Sequence, residues 1–133
     1  MFVDASAFVA MILREPEAQA LADRLEAAPA PITSALAVYE TVLAIARQRG
    51  GGVAAAREDV RLILEAARVR VVSITPEDAE GALDAFMRYG KGQGHPAQLN
   101  MGDCFAYASA RGHRVPLLFK GNDFSHTDLA PRE

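Results

Sequence analysis

The sequence predicts a three-layer α/β/α sandwich around a central parallel sheet. Short apolar stretches near Phe2, Val71 and Leu117, with a further one at Ile32, alternate with longer helical patterns. That alternation is the mark of strand–helix–strand units, whose sheet is covered on both faces. The 133-residue length suits one domain, read here as spanning 1–133. Half of the residues are hydrophobic and 23% are charged, so the chain can bury a core of Ala, Leu, Val and Ile without any tryptophan.

The elements follow in order. Met1-Phe2-Val3 is a short buried strand ending at Asp4. Ser6 is expected to cap a helix over Ala7–Arg14. Pro16, tolerated in a first helical turn, introduces an amphipathic helix over Glu17–Ala27. Pro29 and Pro31 break the chain before a very short strand at Ile32-Thr33. Ser34 caps the most apolar helix, Ala35–Arg49, and Gly50-Gly51-Gly52 supplies the left-handed turn that ends it. Val53–Ala67 forms another helix. Val69–Ile74 is the clearest strand, read as a central one from its β-branched residues. Thr75-Pro76-Glu77-Asp78 combines a cap, a proline and acids in the first turn, starting a helix that runs to about Tyr89. A glycine-rich, basic loop follows at Gly90–Pro96. Asn100 caps a helix from Met101 to about Ala110, closed by Gly112. Val115–Phe119 is the last strand, and Gly121-Asn122-Asp123-Phe124 the turn after it.

Several function classes are disfavoured. A net charge of −3 is unlike a general nucleic-acid coat protein. It is compatible with an enzyme whose acids surround a cation. The single cysteine, Cys104, cannot form an intramolecular disulfide. The N-terminus does not read as a signal peptide, and no apolar run is long enough for a membrane span, so a cytoplasmic protein is expected.

The carboxylates carry the functional argument. In a parallel sheet, ligands bind beyond the carboxyl ends of the strands. Asp4 stands at one such end and serves either as a helix cap or, with Ser6 capping instead, as a ligand. Glu40 lies on the most apolar helix, with Leu36, Leu43 and Ala44 one turn away, and Val38, Tyr39, Val42 and Ile45 filling the other faces. Such a helix is expected to be largely buried. A carboxylate there either snorkels to the core's edge or faces a cation. Asp103 falls in a first helical turn, where an acid favours the dipole. Gly102 beside it suggests close approach by a neighbour. Asp123 sits in an ordinary turn, and gains interest from following an apolar strand. Asp128 is a weaker fifth candidate. Carboxylates with few His or Cys partners suit Mg²⁺ or Mn²⁺. Zinc is disfavoured because His95, His113 and His126 lack ligand spacing. Cys104, among apolar helix residues, reads as structural.

The segments Val3-Asp4-Ala5-Ser6-Ala7, Tyr39-Glu40, Asn100-Met101-Gly102-Asp103-Cys104 and Leu117–Phe124 resemble the PIN-domain family, and more closely the VapC-type toxins of bacterial VapBC modules. The resemblance spans Asp4 to Asp128. It implies a metal-dependent endoribonuclease acting as the toxin of a toxin–antitoxin pair. It further implies Asp4, Glu40 and Asp103 as a core acidic triad and Asp123 as the fourth acid, with Asn122 and Asp128 nearby as rivals. Ser6 matches a position lining the pocket. The implied cofactor is Mg²⁺, with Mn²⁺ as alternative; the implied products carry a 3′-hydroxyl and a 5′-phosphate. Implied partners are transfer, ribosomal or messenger RNA, a VapB-type antitoxin and a second copy of the chain.

Three further readings complete the set. Arg14, Arg47, Arg49, Lys91, Arg111 and Lys120 are either a basic rim for RNA or solvated surface, and the Gly90–Pro96 loop is either an RNA contact or a connector. The apolar residues of Ala7–Arg14 and Ala35–Ile45 either fill the core or form a partner face. A phosphorylated receiver domain is discounted because no aspartate follows the Val69–Ile74 strand, and a haloacid-dehalogenase-like phosphatase because Ser6 stands where a second aspartate is needed. A PIN fold kept for binding alone remains the non-enzymatic alternative.

Overall fold

The computed structural model describes residues 1–129; Ala130–Glu133 lie outside the described residues, and so does that end of the single-domain reading. The elements are β1 (Phe2–Val3), α1 (Ala5–Ile12), α2 (Ala18–Ala27), β2 (Ile32–Ser34), α3 (Ala35–Arg49), α4 (Gly52–Ala66), β3 (Arg70–Val72), α5 (Pro76–Tyr89), α6 (Met101–Gly112) and β4 (Leu117–Leu118). The strands form one sheet in the order β3-β2-β1-β4, parallel throughout.

The alternation of side chains along each strand divides the core. Phe2, Ile32 and Leu117 point to one face and pack against Ala82, Ala85 and Tyr89 of α5 and Ala106 and Ala110 of α6. Val3 and Leu118 point to the other, against Phe8 of α1, Leu21 and Leu25 of α2 and Ile63 and Leu64 of α4. The three-layer sandwich with a central parallel sheet is therefore the fold. Val42 and Ile45 of α3 join Val9, Ala56 and Val60 in a smaller cluster on the α1–α4 side.

Four readings of the sequence are corrected. The first helix starts two residues early, because Asp4 itself is the N-cap and accepts from the backbone N–H of Ser6 at 3.0 Å. The Val69–Ile74 strand is only Arg70–Val72, and it is an edge strand whose Arg70 and Val71 are exposed. β-branched composition registers extended backbone, not the number of neighbouring strands. The apolar α3 is not buried all round: Ala37, Thr41, Val42 and Ile45 are buried, whereas Tyr39 is 63% exposed. Its remaining face borders open space. The last strand, expected over Val115–Phe119, is likewise shorter, Leu117–Leu118, while the helix caps hold. Ser34 caps α3, Thr75 caps α5 and Asn100 caps α6, each accepting from a backbone N–H three residues on. Gly50, Gly51 and Gly52 take φ values of 83°, 83° and 85°, which side chains resist.

From β1 the chain moves outward to β2 and β3, then returns to place β4 on β1's other side. A topological switch therefore lies between β1 and β4, and a crevice opens beyond their carboxyl ends. Among the described residues, no helix is long and apolar enough to cross a membrane.

Candidate active site

Asp4 leaves the end of β1 and is 5% exposed. Its backbone N–H donates to Leu118 at 2.9 Å, which anchors it to the end of β4. Its Oδ2 accepts from both the backbone N–H and, at 2.6 Å, the hydroxyl of Ser6. The Ser6 hydroxyl in turn accepts from the Lys120 N–H at 3.0 Å. Ser6 thus does not replace Asp4 as cap, as the sequence suggested; it ties Asp4 to the segment leaving β4.

Asp103 is held by a reciprocal capping box. Its N–H donates to Asn100 Oδ1 at 2.9 Å, and its Oδ2 accepts from the Asn100 N–H at 3.1 Å. Glu40 projects from α3 onto α6 at Gly102. A Cβ on Gly102 would collide with the Glu40 carboxyl group, so the close approach inferred from that glycine is made by Glu40 itself. Asp123 lies exposed in the turn after β4, where Gly121 takes a φ of 97°.

These four acids feel one another. Burial raises the Asp4 pKa, against the opposing hydrogen bonds from Ser6 and Ala5, and Asp123 raises it further. Burial, then Asp4, lifts Glu40 to about 7. Asp103 also rises to about 7: burial is the largest cause, the Asn100 hydrogen bond opposes it, and Asp4, Asp123 and Glu40 add to it. None of the ion pairs among the described residues involves any of the four. Four separate segments thus contribute acids to one region of negative charge, and among the described residues no ion pair neutralises it. Asp128 is placed elsewhere. It accepts from the Tyr107 hydroxyl at 2.5 Å and pairs with Arg111 at 3.4 Å, so it belongs to the α6 surface.

The donor set fits a hard cation. All the donors are carboxylate oxygens, and the Ser6 bonds to Asp4 and the Asn100 bond to Asp103 each fall on one oxygen, Oδ2. As oriented here, among the described residues, no three acids are gathered to share one ion. No hydrogen bond among the described residues fixes the Glu40 carboxylate.

Beside Glu40 runs an open groove of about 460 Å³, lined by residues including Ser6, Tyr39, Glu40, Arg47 and Lys120. Two members of the anticipated basic rim, Arg47 and Lys120, therefore line the same groove as Glu40. Lys120 also pairs with Glu15 at 3.1 Å. Arg49 is engaged by Asp59 at 2.6 Å, on the α3–α4 side, with Arg14 lining the same neighbourhood. Tyr39 was missed as a site residue because it was assigned to a buried face. Being the sole aromatic on an aliphatic α3 was the available signal. The apolar residues of Ala7–Arg14 and Ala35–Ile45, read as filling the core or as forming a partner face, divide: Phe8, Val9, Ala37, Val42 and Ile45 are buried, Tyr39 is exposed, and other large exposed apolar side chains include Leu83, Phe86 and Met87 of α5 and Val53 and Leu62 of α4. Because β3 is an edge strand and Asp4 follows the central β1, the missing aspartate after Val69–Ile74 does not by itself separate this fold from a receiver domain.

Comparison with known proteins bears on the family and the fold. The PIN-domain family profile matches residues 1–129. A VapC ribonuclease of Rhizobium meliloti is 42% identical over 139 residues, an alignment covering 96% of this chain and 98% of that protein. Ribonuclease VapC30 of Mycobacterium tuberculosis is 41% identical, over 98% of this chain and 96% of its own. Among solved structures, VapC20 of Mycobacterium tuberculosis, described as a toxin that cleaves the sarcin–ricin loop, superposes with a TM-score of 0.72 at 24% identity, covering 93% of this chain and 92% of that one. A toxin–antitoxin complex from Klebsiella pneumoniae gives 0.70 at 18% identity, covering 98% and 95%. At these identities the two structures speak to the fold.

Proposed function

Because this chain belongs to the PIN-domain family, among the VapC ribonucleases, we propose that it is a metal-dependent endoribonuclease and the toxin of a toxin–antitoxin pair. One observation supports the reading: Asp4, Glu40, Asp103 and Asp123 come from four separate segments, burial and mutual charge raise the pKa of the first three, and none of the ion pairs among the described residues engages any of the four. Asp4, Glu40, Asp103 and Asp123 are the proposed ligands of Mg²⁺, with Mn²⁺ as the alternative.

A cation bound there would lower the pKa of its water and offset charge on the phosphate. The residues of the chain prepare for this. The Ser6 hydrogen bond fixes the Asp4 carboxylate through Oδ2. The Asn100 box does the same for Asp103. Gly102 leaves the room in which the Glu40 carboxyl group sits. Arg47 and Lys120 offset the repulsion that an RNA backbone meets near the acids.

The antitoxin partner rests on the relatives. A second copy of the chain would have the exposed Leu83, Phe86 and Met87 of α5 to cover, spaced as one helical face. Size measurement in solution, alone and co-expressed with the product of the adjacent gene, tests both.

The decisive assay mixes purified protein with transfer, ribosomal and messenger RNAs. Cleavage with Mg²⁺ or Mn²⁺, abolished by chelation, is expected, leaving 3′-hydroxyl and 5′-phosphate ends. Bound metal without cleavage of any of them would replace the nuclease by a binding module.

A further inference from the structure

Phosphate hydrolysis at the acids makes no use of the aromatic ring beside them. The chain contains three tyrosines. Two are satisfied inside the fold: Tyr89 and Tyr107 are 3% and 7% exposed and meet edge to face at 5.5 Å. Tyr39 is 63% exposed, immediately precedes Glu40 and lines the same groove. Tyr39, Leu43 and Arg47 follow one another at four-residue spacing, forming one row along that groove. The row spans about 12 Å of helix, with the ring at the acidic end and the guanidinium at the other. The groove's volume, about 460 Å³, lies within the range of small-ligand pockets.

We propose that this groove is a nucleotide subsite in which Tyr39 stacks on an unpaired base next to the cleaved phosphate, while Arg47 takes a backbone phosphate farther along. The inference rests on the ribonuclease reading and adds to it two residues that position the RNA. A rigid phenol ring offers a large π-face at small entropic cost, and unpaired bases are what aromatic side chains grip in RNA. A paired base keeps its faces stacked within the duplex, so the subsite selects RNA that is single-stranded beside the cut. Arg47 supplies charge complementary to the backbone, at a distance from the acids where repulsion is weaker.

The test uses single-stranded RNA carrying 2-aminopurine at successive positions. In an Asp4→Asn background, binding is expected to quench the fluorophore at one position, to lose that quench with Tyr39→Ala and to keep it with Tyr39→Phe. In the otherwise native protein, Tyr39→Ala should raise KM about tenfold, in line with the loss of one base stack. Its kcat should change by less than about twofold, because stacking acts equally before and during the reaction. Arg47→Ala should lower the salt dependence of binding by the share of about one phosphate contact. Unchanged quench and KM in Tyr39→Ala would overturn the subsite, as would a Tyr39→Phe variant as impaired as Tyr39→Ala. Quenching without cleavage of any RNA would leave the subsite standing and sink the nuclease; cleavage without Tyr39-dependent quenching would do the reverse.

Discussion

The two reciprocal capping boxes use the same bonds to opposite ends. At the start of α5, Asp78 accepts from the Thr75 N–H at 2.8 Å and Thr75 accepts from the Asp78 N–H at 3.1 Å, both at the surface. At the start of α6, Asp103 and Asn100 make the matching pair at 3.1 and 2.9 Å. Yet Asp103 is 9% exposed and surrounded by Asp4, Glu40 and Asp123, which help lift its pKa to about 7. Local hydrogen bonding therefore does not separate a purely structural acid from a proposed metal ligand. The separation comes from what the rest of the chain places opposite it.

Activity should break the comparison most sharply. Asp103→Ala, like Asp4→Ala or Glu40→Ala, is expected to reduce RNA cleavage by at least about 100-fold, since even groups that only orient metal ligands matter up to that much. Asp78→Ala should cost about 0.5–1 kcal/mol of stability through the weakened cap and leave cleavage intact. Equal loss of activity in Asp78→Ala and Asp103→Ala would show that the α6 acid acts only through the fold.

Metal affinity comes next. Asp103→Asn keeps the hydrogen-bonding shape and removes a charge. It should weaken Mg²⁺ binding at least about tenfold by calorimetry. The metal-free protein should melt at a higher temperature, because one repelling charge is gone. An unaltered affinity would exclude Asp103 as a ligand.

The pH dependence of metal-free stability has a definite sign. Folded Glu40 and Asp103 titrate near 7, against ordinary values of 4.5 and 3.8. Between those limits the folded chain holds protons that the unfolded chain has released. Their contribution is fully present below the ordinary values and is lost as pH rises through about 7. Thermal unfolding without metal should therefore show lower stability at pH 8 than at pH 5, with Mg²⁺ narrowing the gap. A Glu40→Gln, Asp103→Asn double variant should flatten it.

The smallest expected effect belongs to Ser6. Ser6→Ala removes the hydroxyl that holds Asp4 Oδ2 and accepts from Lys120, so activity should fall about tenfold while the fold persists. A change as large as that of Asp4→Ala would give Ser6 a direct part in the chemistry.

The sequence by itself determined the periodic pattern and its punctuation. Ser34, Thr75 and Asn100 cap helices because each cap is formed within four residues, and the glycines after α3 take left-handed φ for steric reasons that need no neighbours. It also marked Asp4, Glu40, Asp103 and Asp123, as acids set beside apolar elements or at their ends. Only the tertiary structure decided that β3 is an edge strand, that Asp4 caps α1 while facing the other acids, and that Asp128 turns away to Tyr107 and Arg111. Strand order, shared repulsion among carboxylates and the exposed side of α3 arise from contacts between distant segments. Period and propensity describe one segment at a time, so the space beside Tyr39 was open to view only once β1, α3, α6 and β4 were packed together.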